Sequence, residues 1–294
     1  MRSRAWLAWV GVFLSCPAQA ACPPEGTDRA SLQLLREQKF AVNDELRATL
    51  LAGLPACLAI PDPAMRDGVA YEGLSTWLRA GQVDVQQRRA LRDHLYAMLG
   101  REDPAGFGPP FAALVLSEVA RTDRIAPWMS AGERADMVAR AAAYLASVRD
   151  YRGFDAVEGW RHGVAHGADW LLQLVLNEQV DRAQVEVLLQ AVAEQAVPDS
   201  AHAYVFGEPG RLARPVLYAA RRGLLDEAAW TRWFAALPPR LGVAKQAYAD
   251  SAWLARRHDL MAFLMSLHLE ADQSGDPNIR ALKPVVVQAL KSVP

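Results

Sequence analysis

The chain has 294 residues, 52% hydrophobic and 22% charged, with 32 basic against 33 acidic side chains. Those values suit a globular protein of one large domain or two small ones. The even balance of charge argues against a nucleic-acid binder, which needs a basic face, and against an anionic membrane as partner.

Arg2 and Arg4 precede an uncharged apolar stretch from Ala5 to Leu14, and Ala18-Gln19-Ala20 supplies a small-x-small cleavage site. This order predicts a secretory signal peptide over 1–20 and an exported protein, periplasmic or secreted. The apolar stretch is shorter than the roughly 20 residues that span a bilayer, and no later segment predicts a transmembrane helix in the mature chain. Cleavage before Cys16 would instead leave a lipid-anchored protein, although Phe13-Leu14-Ser15 is a poor version of the usual L-x-x-C pattern. Past residue 20 only Cys22 and Cys57 remain. An oxidising compartment would favour their pairing as a disulfide; the alternative is two free thiols.

From there on, helix punctuation recurs and no segment reads as strand. Asp62-Pro63 is a cap followed by proline at the first helical position, with Leu74, Trp77 and Leu78 at helical spacing after it. Asp84 opens a run in which Leu91, Leu95, Met98 and Leu99 share a face until Gly100. Pro109-Pro110 starts the next, with Phe111, Leu114, Val115 and Val119. Ser130 to Glu133 is a capping box that leads into Met137, Ala141, Tyr144 and Leu145. A helix is predicted over Gly159 to Leu176, and Asp181 caps another containing Val185, Leu188, Leu189 and Val192. Later helices hold Leu217 to Ala220, Trp230 to Leu237, Ala252 to Leu269 and Ile279 to Val293. Helix pairs recurring at about 40 to 47 residues predict an all-α fold, an α-α superhelix or HEAT-like stack of helical hairpins. The competing reading is an irregular helical bundle. With no linker long enough to divide it, 21–294 is expected to be a single all-helical domain, its best breaks at 106–110 and 198–210.

The densest polar segment is R-G-F-D-A-V-E-G-W-R-H-G-V-A-H-G-A-D, from Arg152 to Asp169. With Glu158 to Gln173 taken as helix, Glu158, His162, His166, Asp169 and Gln173 fall on one arc, Trp160 with the apolar residues opposite. A stripe of Gly159, Gly163 and Gly167 lies between. Each glycine costs ~1 kcal/mol relative to alanine in a helix interior, so the stripe predicts close approach of a helix, a loop or a ligand. Two imidazoles at i, i+4 with Asp169 a turn further predict a possible divalent metal site, such as zinc, with Glu158 as general base. Gly163 stands where H-E-x-x-H has its glutamate, so the metalloprotease signature is absent. The competing reading is a hydrogen-bonded network of the histidines, Asp169 and Arg152 that fixes the Tyr151–Phe154 loop, with the Arg152 guanidinium folded back onto a carboxylate.

R-G-F followed by E-G-W-x-H-x-x-A-H-x-A-D resembles the signature of the bacterial family called domain of unknown function 2785. Arg152, Gly153, Phe154, Gly159, Trp160, His162, Ala165, His166, Ala168 and Asp169 carry the resemblance, and Glu208, Arg211 and Leu212 resemble a weaker second element. The resemblance implies a helical, HEAT-like core over about 74–269 and no particular activity.

His202, Tyr204, Glu208 and Arg211 follow the break at Pro198 and either return to the same site or form an ordinary loop, the reading preferred here. His94, His258 and His268 read as helix-face residues, and Trp230, Trp233 and Phe234 as packing. G-x-S-x-G, P-loop and G-x-G-x-x-G fingerprints are missing. Two functions follow. The first is a binding module for an envelope protein, peptide or small ligand, with Arg152, Trp160, Gln173, Glu208 and Arg211 as candidate contacts. The second is a metal-dependent hydrolase with His162, His166 and Asp169 as ligands.

Overall fold

The computed structural model describes residues 22–294 apart from 244–246 and 248. The signal-peptide pattern and Cys16 lie outside the described residues. The helices are α1 (Arg29–Glu37), α2 (Asp44–Gly53), α3 (Pro63–Met65), α4 (Glu72–Arg79), α5 (Val85–Leu99), α6 (Gly108–Ile125) and α7 (Ala131–Ser147). They continue with α8 (Gly163–Val175), α9 (Arg182–Ala196), α10 (Glu208–Arg221), α11 (Glu227–Ala235), α12 (Ser251–Gln273), α13 (Pro277–Arg280) and α14 (Lys283–Ser292). A π-helical turn, Arg66–Tyr71, joins α3 to α4.

Local chemistry sets most of these boundaries. Asp84, Ser130 and Asp181 each cap a helix through a reciprocal box with the residue three further on, which satisfies two of the backbone groups a helix start leaves bare. Proline at the head of α6 and α10 costs no hydrogen bond there. The last helix expected from the sequence is divided. Asp276 caps α13, and Lys283-Pro284 opens α14 after a break at Ala281-Leu282.

The helices stack in two layers. α4 packs on α6, α6 on α8, α8 on α10 and α10 on α12, while α5, α7 and α9 back them as the second layer. This is the alternation of a helical-hairpin stack. The core runs through the stack as one cluster, from Leu32 and Leu54 through Trp77, Phe111, Trp170 and Leu212 to Phe263 and Val286. Gly167 shows how closely the layers approach: a Cβ there would stand 3.0 Å from Leu145 Cδ1 and 3.1 Å from Tyr144 Cε1 of α7. No helix of the described residues is long and apolar enough to cross a membrane. At the N-terminal end Cys22 and Cys57 are joined as a disulfide.

Candidate functional site

The segment expected to open the 159–176 helix does not. Phe154–Asp155 and Gly159–Trp160 pair as a short antiparallel hairpin, and α8 begins only at Gly163. Two local features divert the chain. Asp155 Oδ1 accepts the amides of Val157 and Glu158, both at 2.8 Å, and Gly159 takes a φ of +75°, which glycine reaches without a Cβ clash. Arg161 N then donates to Gly153 O and His162 N to Arg152 O. His162 itself sits in the left-handed region, φ 60° and ψ 40°, as the residue before α8.

The continuous polar arc therefore does not form. Glu158 lies in the hairpin turn, where its carboxylate accepts from Arg161 at 2.6 Å and its carbonyl from the fully buried Arg66 at 2.8 Å. Phe107 is clasped between those two guanidiniums, 4.1 Å from Arg66 and 4.2 Å from Arg161. Held by Arg161, the Glu158 carboxylate is badly placed to act as a general base. Arg152 folds back onto Asp150 and reaches Pro104 O. It meets neither histidine nor Asp169 through its side chain.

Of the three residues expected to hold a metal, the two imidazoles stay near each other, ring centroids 5.9 Å apart, but each of the three is engaged elsewhere. His166 Nδ1 lies 3.2 Å from Pro110 O and its ring stands edge-on to Phe111. Asp169 accepts Arg211 Nη1 on both oxygens, at 2.7 and 2.6 Å. His162 stacks under Trp160 with ring centroids 4.6 Å apart. No group of three or more His, Cys, Asp or Glu that could hold a metal ion occurs among the described residues. The donor set does not fit zinc, which needs its ligands converged at ~2 Å from one point. Burial, with the Arg211 charge adding to it, lowers the His162 imidazole to about 4. Burial likewise lowers His166 to about 3, with His162 and Arg211 contributing. Both rings are neutral near pH 7.

The 202–208 stretch is far from an ordinary loop. Glu208, 3% exposed, turns inward at the head of α10 and accepts Phe206 N at 2.9 Å. Its other oxygen lies 3.8 Å from His162 Nε2, an atom with no hydrogen-bond partner among the described residues. Asp259 of α12, 0% exposed, accepts Tyr204 N at 2.7 Å. Tyr204 Oη in turn donates to the Gln195 side chain, whose amide donates to Leu145 O and Val148 O. The Phe206 ring fills the space a side chain on Gly153 would take: a Cβ there would stand 2.0 Å from Phe206 Cδ2. That close approach is why R-G-F needs its glycine. Phe206 also meets Trp160 edge-on, and Phe154 lies beside Trp160. Burial raises the Glu208 carboxyl, its backbone hydrogen bonds opposing, and pushes Asp259 up to about 7. Asp259 escaped the sequence reading. Its one signal was an acid in register with Trp253, Ala255, Leu260 and Phe263 on the buried side of α12.

On the side of α8 turned away from Gly167 and α7, polar pairs cross from helix to helix. Arg79 of α4 bonds Glu118 of α6 in two places, Arg124 of α6 donates to Gln173 of α8, and Arg211 of α10 holds Asp169 of α8. Beside the last pair, α10 and α12 border a groove of about 720 Å³ lined by Gly207, Gly210, Arg211, Arg214, Tyr218 and Glu270, among others. It adjoins a depression of about 440 Å³ that shares Leu217, Tyr218 and Glu270 and extends to Arg221 and Gln273. Arg214 and Glu270 are exposed on facing walls.

Fold and site together define an α-α helical-hairpin stack with a polar groove along one layer. Residues 95–269 match the family model described as Protein of unknown function (DUF2785), and the chain belongs to that family. The match starts inside α5 rather than near residue 74, and it contains the hairpin, α8, the 202–208 stretch and Asp259. No curated protein and no solved structure matches the chain.

Proposed function

We propose that the chain is an exported binding module, 21–294 acting as one domain, that holds a peptide-like ligand in the groove between α10 and α12. The groove carries the reading. It is long, open and mixed in character, with Leu172, Leu217 and Leu269 beside Arg214, Tyr218, Ser266 and Glu270. Apolar contacts with a few charged groups of both signs suit an extended chain better than a small molecule, which is usually enclosed. Arg211 uses only Nη1 on Asp169, which leaves the rest of its donor fork for a ligand carboxylate. Of the contacts expected from the sequence, Arg211 lines this groove, Glu208 opens α10, Gln173 lies on α8 beside the lining Leu172, Trp160 is in the hairpin and Arg152 precedes it. Export is supported by the N-terminal charge and cleavage pattern and by the Cys22–Cys57 bond.

The test is selection from a random peptide library displayed on phage, against the immobilised mature protein. Peptides sharing a motif should be enriched and bind with micromolar Kd, and Arg214→Glu or Tyr218→Ala should weaken them tenfold or more. No enriched motif, or binding that neither substitution changes, would overturn the reading.

A further inference from the structure

Two helices pin down the 202–207 segment by carboxyl groups and nothing cationic. Asp259 of α12 accepts Tyr204 N, and Glu208 of α10 accepts Phe206 N two residues on. Neither carboxyl forms an ion pair with arginine or lysine among the described residues. Asp259 Oδ2 is buried with no hydrogen-bond partner among them. A buried carboxyl without a cation is tolerated far better protonated than charged, and a protonated Asp259 still accepts the Tyr204 amide through Oδ1.

The groups that face Asp259 do not supply the missing charge. Glu208 of α10 adds negative potential, and Tyr204 donates only its amide. Tyr151, before the hairpin, stacks on His202 and stands edge-on to Tyr204. His162, at the head of α8, is turned to Glu208. The nearby Arg149 is bonded to carbonyls at Ala146 and Val148. Arg256, on α12 itself, reaches the exposed Asp199 at 3.5 Å. From α9 only the neutral Gln195 enters the cluster.

We infer that Asp259 is a proton-held latch: its protonated carboxyl keeps the 202–207 segment docked, and loss of the proton loosens the segment and reshapes the head of the α10–α12 groove. Burial pushes the Asp259 carboxyl up to about 7, so the docked segment weakens as pH rises toward neutrality. Release would free Phe206 from Gly153 and Trp160 and move Gly207, which lines the groove. The latch does not depend on the groove's ligand. It is read on the free protein, so it and the peptide-binding reading stand or fall separately.

The experiment is hydrogen–deuterium exchange of the full mature chain across pH 5.5 to 8.5, with rates corrected for intrinsic amide chemistry. The protection of the Tyr204 and Phe206 amides should fall tenfold or more between pH 6 and 8, while amides in α6 and α9 hold theirs. Asp259→Asn, which keeps the acceptor and removes the charge, should keep Tyr204 protected over the whole range. A wild-type profile that is flat with pH would overturn the proposal without recourse to any variant. So would a parallel loss of protection in wild type and a folded Asp259→Asn chain.

Discussion

Asp123 offers the sharpest test of how the stack holds α8 in place. Its carboxylate is fully buried near the end of α6 and accepts from four sources. Trp128 N and Met129 N bond Oδ1 at 2.9 and 2.8 Å, and Arg134 Nε of α7 and Asn177 Nδ2, just past α8, bond Oδ2 at 2.8 Å each. Arg134 is itself buried. Asp123→Ala strips all four donors of their acceptor at once and leaves a guanidinium charge unpaired. Breaking one side of a buried pair costs about 3–5 kcal/mol, and each buried orphan donor adds ~1–3 kcal/mol where water cannot reach it. A loss of about 5 kcal/mol is therefore expected, a large share of the roughly 5–15 kcal/mol that holds a domain together. Urea unfolding followed by far-UV circular dichroism measures it. The paired replacement Asp123→Leu with Arg134→Met should recover 2 kcal/mol or more relative to Asp123→Ala, because it removes the unpaired charge along with its partner. Burial raises the Asp123 carboxyl, but Arg134, Met129, Trp128 and Asn177 together hold it below its ordinary 3.8. Its contribution is thus fully present above pH ~4 and is lost as pH falls through the lower folded value. A cost under 1 kcal/mol for Asp123→Ala, or no gain from the paired replacement, would refute this account of the junction.

Gly153→Ala drives a methyl into the Phe206 ring and should cost about 1–3 kcal/mol, with Phe206→Ala in the same chain restoring part of it; thermal melts decide. Asp259 gives the opposite pH sign from Asp123. Its carboxyl is raised, so the folded state holds the proton more tightly than the unfolded chain, and stability is lost as pH rises from about 4 to 7. Asp259→Asn should therefore be close to neutral below about pH 4 and stabilise the chain at pH 8, by up to about 4 kcal/mol; a destabilised variant at pH 8 would contradict the charge argument. Replacing both Cys22 and Cys57 by alanine should lower stability by up to ~4 kcal/mol in the chain-entropy model, read as a lower Tm against the oxidised wild type.

The helix starts were legible because they rest on neighbours in sequence. Asp84, Ser130 and Asp181 cap with the residue three positions on, and no distant contact can improve on that geometry. The 158–162 stretch misled for a related reason. Its spacing suits a helix, yet Asp155 and Gly159 close a hairpin whose remaining bonds go to Arg66 and to the carbonyls of Arg152 and Gly153. Periodicity cannot register an arginine 92 residues away. Of the three glycines expected to mark a close approach, Gly167 meets α7, while Gly159 serves a turn and a Cβ on Gly163 would find only ordinary contact at 3.4 Å.

By itself, then, the sequence determined the all-α class, the pairing of helices and the family. Capping and amphipathic periodicity act within one or two turns, and R-G-F…E-G-W-x-H-x-x-A-H-x-A-D is contiguous. Tertiary structure alone decided which polar groups meet. Asp169 finds Arg211 across 42 residues, Tyr204 finds Asp259 across 55, and Asn177 finds Asp123 across 54. A buried charge or amide takes whatever partner packing brings within about 3 Å. Packing followed the apolar faces of helices far apart in the chain, so the polar partners came with them.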